Sequence, residues 1–178
     1  EFRNYQVLYQ LGIPAAKVLA IGEKRIFCHL LESFIITEFL PDTQDGRAFM
    51  PGGAFREDRK LRETFWRINL PILAKLHKIN FFHKAIHPRN ILWRLRDDST
   101  MEVFWIDVAR CRIVFPFRMK RAIAFDLYTI LSDMRVPAEE GQRMLAWYLE
   151  HNPTCGYTLE SLCAAMRNFH RHCFGTGV

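Results

Sequence analysis

The sequence predicts a single α+β domain in two unequal parts. The N-terminal part is small, a helix with antiparallel strands; the C-terminal part is mainly helical and carries one hairpin. Three observations predict this. Short runs rich in β-branched and apolar residues crowd positions 17–40. A stretch rich in glycine and proline follows at 42–54. From position 55 onward apolar residues recur at helical spacing, interrupted by a polar loop and two short apolar runs between 83 and 106.

Residues 1–11 place Phe2, Tyr5 and Leu8 on one helical face, and Gly12 and Pro14 end the helix. Residues 17–21 and 26–31 read as short strands joined by the turn Gly22-Glu23-Lys24-Arg25. Residues 33–40, Ser-Phe-Ile-Ile-Thr-Glu-Phe-Leu, have the character of a central strand that Pro41-Asp42 stops. Residues 42–54, with Gly46, Pro51, Gly52 and Gly53, are a linker between the part at 1–41 and the part at 55–178. Leu61, Phe65, Ile68, Ile72 and Leu76 define a helix in which Pro71 calls for a kink or a division in two. His77 lies near its end as a helix-terminal or core histidine. Residues 90–95 and 102–106 form a hairpin around Arg96-Asp97-Asp98-Ser99-Thr100. Residues 111–120 are aromatic and basic, and Pro116 keeps them from regular helix. Residues 122–131 are helical, with Asp126 set among apolar neighbours; Pro137 opens a helix reaching Glu150, with Glu139 and Glu140 in its first turn, and Thr158 caps the last.

With 178 residues the chain can bury a core as one domain and is too short to suggest two. Its 49% hydrophobic and 25% charged residues exclude a disordered chain. A net charge of +6 suits a phosphate-rich partner. Nucleic acid is not expected, because no helix concentrates Arg and Lys on one face. No apolar run is long enough for a membrane span, and no signal peptide is visible. Cys28, Cys111, Cys155, Cys163 and Cys173 are odd in number and lack a C-x-x-C pair, which reads as reduced thiols in a cytosolic protein. Cys163, His170, His172 and Cys173 match no familiar zinc spacing and read as a polar helix end.

The chemistry is concentrated in 81–112. A polar loop opened by His83 and closed by Asn90 runs into one apolar strand, and a second apolar strand is followed by Asp107. A side-chain amide and a carboxylate are the pair that phosphoryl transfer uses to hold Mg²⁺ against ATP phosphates. His83-Lys84-Ala85-Ile86-His87-Pro88-Arg89-Asn90 with Ile106-Asp107 resembles the catalytic loop, H-x-D-x-x-x-x-N, and metal-binding strand of the protein-kinase-like phosphotransferases. The resemblance makes His83 the loop histidine and Asn90 and Asp107 the metal ligands. The family's loop Asp falls on Ala85, and a methyl group cannot align an acceptor hydroxyl. His87 is a histidine whose place in the loop points at structure or, secondarily, at a substitute base.

Leu11-Gly12-Ile13-Pro14, Ser33-Phe34-Ile35-Ile36-Thr37-Glu38, the 83–92 loop, Ile106-Asp107 and Phe125-Asp126-Leu127 together resemble the lipopolysaccharide core kinases, which include the Kdo and heptose kinases. The wording His87-Pro88-Arg89-Asn90-Ile91-Leu92 is also similar to that of the aminoglycoside and choline kinases. The resemblance covers residues 1 to about 131. It implies a protein-kinase-like fold with a truncated N-lobe, helix C plus antiparallel strands, and a helical C-lobe. It implies ATP and Mg²⁺ as cofactors, and a lipopolysaccharide core sugar or lipid A precursor as partner. It places the chain in the cytoplasm, with peripheral contact at the inner membrane.

By the same resemblance Glu38 and the backbone near Leu40 face the adenine, and Glu1 is the helix-C glutamate; the alternatives are a strand-edge cap and a chain terminus. Asp126 would take hydrogen bonds from the loop backbone. Arg110, Arg112, Arg118, Lys120 and Arg121 are acceptor-binding candidates, or equally a solvated basic face. The family's Gly-rich loop and V-A-I-K strand do not occur in these residues. Three functions therefore compete: a lipopolysaccharide sugar kinase impaired by Ala85 and by the missing Gly-rich loop and Lys, a pseudokinase serving as a binding or scaffold module, and an aminoglycoside- or choline-kinase-like small-molecule phosphotransferase.

Overall fold

The computed structural model describes residues 1–97 and 99–174, with side chains through Phe169. Helix α1, Phe2–Gln10, buries Tyr5 and Leu8, and the chain beyond it lies along the core, where Trp105 N donates to Pro14 O at 2.9 Å. Strands β1, Val18–Ile26, and β2, His29–Thr37, form an antiparallel hairpin. This corrects the three-strand expectation. Gly22, Glu23, Lys24 and Arg25 lie inside β1, and the turn is made by Phe27 and Cys28, with Phe27 at φ +52°. Gly22 stands opposite Phe34, whose ring lies where a Cβ would sit, so this glycine accommodates an aromatic rather than a turn. Within the described residues the hairpin is a two-stranded sheet on which Leu19, Ile21, Leu30, Leu31, Phe34 and Ile36 are all exposed.

The stretch 42–54 is also more than a linker. It contains β3, Gln44–Asp45, which pairs with β5, Ile91–Leu95, beyond a long helix and the short strand β4, Phe81–Phe82. A 3-10 turn, Gly46–Phe49, then drops Phe49 fully into the core between Phe65 and Trp93. Helix α2, Arg59–Lys78, is one helix running through Pro71. It starts later than expected because Asp58 caps it, accepting from Leu61 N at 2.9 Å. Its face of Phe65, Trp66, Leu70, Leu73 and Leu76 is the spine of the core.

β5 pairs with β6, Met101–Trp105, and the ladder extends through Ile106 N to Asn90 O. In the expected turn between them, Asp98 lies outside the described residues. Strand β7, Arg112–Ile113, pairs with β4. Helices α3, Met119–Met134, α4, Ala138–His151, and α5, Leu159–Phe174, complete the C-terminal part. Thr158 caps α5 through Ser161 N at 3.2 Å. Of the cluster Cys163, His170, His172 and Cys173, the last three side chains lie outside the described ones. No described helix is long and apolar enough to cross a membrane.

Candidate active site

The loop between β4 and β5 is held from behind. Asp126 on α3 is almost fully buried, and its carboxylate accepts from His83 N and Lys84 N, both at 3.1 Å. It also lies 3.3 Å from His77 Nε2. His77 Nδ1 is 2.8 Å from the Tyr148 hydroxyl, to which Asn152 Nδ2 donates at 2.8 Å. One direction satisfies the whole row: Asn152 to Tyr148, Tyr148 to His77 Nδ1, His77 Nε2–H to Asp126. Burial raises the Tyr148 phenol far above its ordinary pKa, so it remains a donor. A buried polar row that is satisfied throughout fixes one loop conformation. Lys84 takes φ +58°, which turns the loop sharply after the two clamped amides.

Asn90 closes the loop at a 3-10 turn, Pro88–Asn90, where Pro88 sets the first residue. Its Nδ2 donates to Ala85 O at 2.9 Å and to Asp107 Oδ2 at 3.2 Å. Asp107 sits at φ +54°, a left-handed position that ends the line of β6 and starts the turn Val108–Arg110. Its carboxylate does not cap that turn, and the residue is exposed. From the other side Asn4 of α1 donates to Val108 O at 2.7 Å and Cys111 O at 2.9 Å, pinning the turn. Gly46 lets the 46–49 turn approach the 88–90 turn, because a Cβ there would lie 2.7 Å from Pro88 O.

The structure thus brings Asn90 and Asp107 together at the end of the β5–β6 ladder. With Asn90 Nδ2 committed to two acceptors, Asn90 Oδ1 and Asp107 Oδ1 take no hydrogen bond among the described residues. Mg²⁺ takes oxygen donors and is commonly held by one or two carboxylates with phosphate oxygens of the substrate. These two residues fit that donor set. No group of three His, Cys, Asp or Glu among the described residues would hold a metal without a substrate.

His83 is wholly buried, its ring edge-on to Trp105 at 5.6 Å, with neither nitrogen in a hydrogen bond of good geometry. Burial lowers its pKa below 6.5, against the pull of Asp126 and Asp107. Ala85, the position on which the loop Asp of the resemblance falls, is buried at 5% exposure. His87 points elsewhere: its Nδ1 lies 2.5 Å from Asp133 Oδ2 on α3. Glu38 is engaged as a strand-edge cap, accepting from Lys17 N at 2.8 Å, and Leu40 O accepts from Thr43 Oγ1 at 2.9 Å. Glu1 is exposed at the start of α1, without a side-chain capping bond.

The five cations are all exposed. Arg118 lies over the Phe117 ring, Arg121 over Phe169 and Lys120 over Tyr157, at 5.4, 5.8 and 5.4 Å. A groove of about 750 Å³ beside the loop includes Lys84, Phe117, Arg118 and Arg121. Sequence reasoning missed Asn4 and Asp133, which form their contacts across 104 and 46 residues. It also left open the role of His77, whose contact with Tyr148 spans 71. No local pattern signals such pairs.

A family model described as "Lipopolysaccharide kinase (Kdo/WaaP) family" matches residues 1–148. The 3-deoxy-D-manno-octulosonic acid kinase of Mannheimia succiniciproducens is 26% identical over 112 residues, 62% of this chain and 43% of that protein. The same enzyme of Pasteurella multocida matches at the same identity and coverage. The chain thus spans less than half the length of these curated relatives. A solved structure, WaaP in complex with acyl carrier protein, has a TM-score of 0.72 at 19% identity, over 97% of this chain and 75% of that one. It shares the kinase-like fold, of which α1 and the β1–β2 hairpin form the N-terminal side and the helices the C-terminal side. By the match over residues 1–148, the chain belongs to the lipopolysaccharide kinase (Kdo/WaaP) family.

Proposed function

We propose that the chain carries the metal-binding and loop half of an ATP- and Mg²⁺-dependent kinase acting on a sugar hydroxyl of the lipopolysaccharide inner core, at the cytoplasmic face of the inner membrane. The observation that supports this is the 3.2 Å approach of Asn90 and Asp107 at the end of a loop clamped by Asp126. Mg²⁺, held there by Asn90 Oδ1 and Asp107 with ATP, would neutralise charge on the transferring phosphoryl group. The chain's own residues do the rest: His83 and Lys84 amides fix the loop on Asp126, and Asn4 fixes the turn after Asp107. Exposed Arg110, Arg112, Arg118, Lys120 and Arg121 favour an acidic glycolipid beside the loop.

Ala85 supports a second reading, in which the chain binds Mg²⁺-nucleotide and glycolipid but transfers phosphate slowly or not at all. Loss of an aligning or basic group of this kind slows transfer by about 10²- to 10⁴-fold. The test is Mg²⁺-ATP-dependent phosphorylation of a Kdo-bearing lipid A precursor by the chain and by Ala85→Asp, each with a Gly-rich loop and a nucleotide-binding Lys strand supplied upstream. The expected result is a gain within that range in the variant, abolished again by Asp107→Asn. Equal rates in the two chains would refute the role assigned to position 85. Absence of Mg²⁺-dependent ATP binding in both would refute the kinase reading itself.

A further inference from the structure

Between Asp107 and Asp126 the chain has no acidic residue and five basic ones. The same segment carries three large apolar side chains turned to solvent: Ile113 is 75% exposed, Phe115 71% and Phe117 79%. The two phenyl rings stack with centroids 5.9 Å apart and planes 14° from parallel. Local structure holds them outward. Ile113 is on the two-residue strand β7, and Phe115 and Phe117 flank Pro116, which opens a 3-10 turn. Arg112, Arg118 and Arg121 are interleaved with them.

We propose that the segment 112–121 is a membrane-docking strip that seats the chain on an anionic lipid surface, with Ile113, Phe115 and Phe117 entering the boundary between headgroups and acyl chains. Aromatic side chains flanked by Arg match that boundary, where rings leave water and guanidinium groups meet lipid phosphates. The charge is of one sign and the apolar groups protrude as a ridge, which suits a yielding lipid surface better than a protein that must supply a fitted cavity. The strip is also in the right place. Phe117 and Arg118 line the groove that includes Lys84, one residue from Ala85. Lys84 has its pKa lowered by burial and by the nearby charges of Arg112 and Arg118, which places those cations beside the loop. Docking would hold the loop over sugars displayed at the bilayer surface, a consequence that rests on the kinase reading above; the docking itself does not.

The test is co-sedimentation of the full chain with vesicles of phosphatidylglycerol and phosphatidylethanolamine, or of phosphatidylcholine alone, without ATP or acceptor. Binding is expected on the anionic vesicles and not on the neutral ones. Ile113→Ser with Phe115→Ser is expected to weaken it by about tenfold or more. Arg112→Gln and Arg118→Gln are expected to cost about fivefold each. All four positions are exposed, so cooperative unfolding of the variants should match the parent chain. No vesicle binding, equal binding to neutral vesicles, insensitivity to Ile113 and Phe115, or binding to a soluble acidic protein in place of vesicles would each overturn the proposal. A chain inactive in phosphoryl transfer that still binds anionic vesicles through this strip would uphold it while the kinase reading fails.

Discussion

Replacing Asp126 with alanine deprives three donors of their acceptor at once: His83 N, Lys84 N and His77 Nε2. Lys84 is partly exposed, so water can take over its amide, but His83 and His77 are 0% exposed. Each buried donor left alone costs about 1–3 kcal/mol, and the removed carboxylate leaves a polar void at a site 1% exposed. Together these give a loss of about 3–5 kcal/mol, a large share of the roughly 5–15 kcal/mol that holds a domain folded. At a urea dependence of about 2 kcal/mol/M, the unfolding midpoint should fall by about 2 M. Amide exchange adds a local readout: the His83 and Lys84 amides should lose protection beyond what the global loss explains. Asp126→Asn, which keeps one acceptor, should fall between the parent and Asp126→Ala. A loss below about 1 kcal/mol with those amides still protected would refute the clamp.

Further perturbations follow from other contacts. Arg62 and Glu140 are a buried pair with bonds of 2.8 and 2.9 Å, so Arg62→Met should cost about 3–5 kcal/mol and the double Met variant much less, by urea unfolding. The hydrogen bond from Arg62 holds Glu140 below the usual carboxylate pKa. Its stabilisation is therefore full above about pH 4.3 and lost as pH falls through the lower folded value, a loss that Arg62→Met should abolish. His83, kept neutral by burial, has the opposite proton balance from a stabilised cation. Its unfolded form binds a proton first, so stability should drop as pH falls below about 6.5, and His83→Phe should flatten that slope in thermal unfolding. Gly46→Ala, whose Cβ would meet Pro88 O, should cost about 1–3 kcal/mol; Gly22→Ala, which meets only the exposed Phe34 ring, should cost under about 1, both by chemical denaturation.

The parts of this chain legible in its sequence are those set by local rules. Pro137 and the two glutamates after it mark α4, Thr158 marks α5, and the polar run at 96–100 marks the β5–β6 turn. The Asn90–Asp107 pair was legible because both residues sit at ends of apolar strands, which a hairpin must bring side by side. The N-terminal hairpin was misread because its turn uses Phe27 at positive φ, a conformation that phenylalanine rarely takes, while Gly22 looks like a turn and serves a ring. Phe49 hid in a stretch of turn residues because a two-residue strand and one 3-10 turn suffice to send it inward. His77 illustrates a different limit. Its role depends on Asp126, Tyr148 and Asn152, which come from other helices and their ends, and no window of sequence contains them.

The β1–β2 hairpin bears on how the protein behaves in the tube. Among the described residues no third strand lies against either outer edge of these nine-residue strands, which are bordered by apolar side chains such as Leu19 and Phe34. Such an edge is a template for a strand from another molecule, and the exposed Lys24–Glu32 pair gives only weak protection against it. Preparations of residues 1–178 alone should therefore stay monodisperse when dilute and scatter light increasingly as they are concentrated. Charged substitutions at Leu19 or Ile36 are the simplest route to a well-behaved sample.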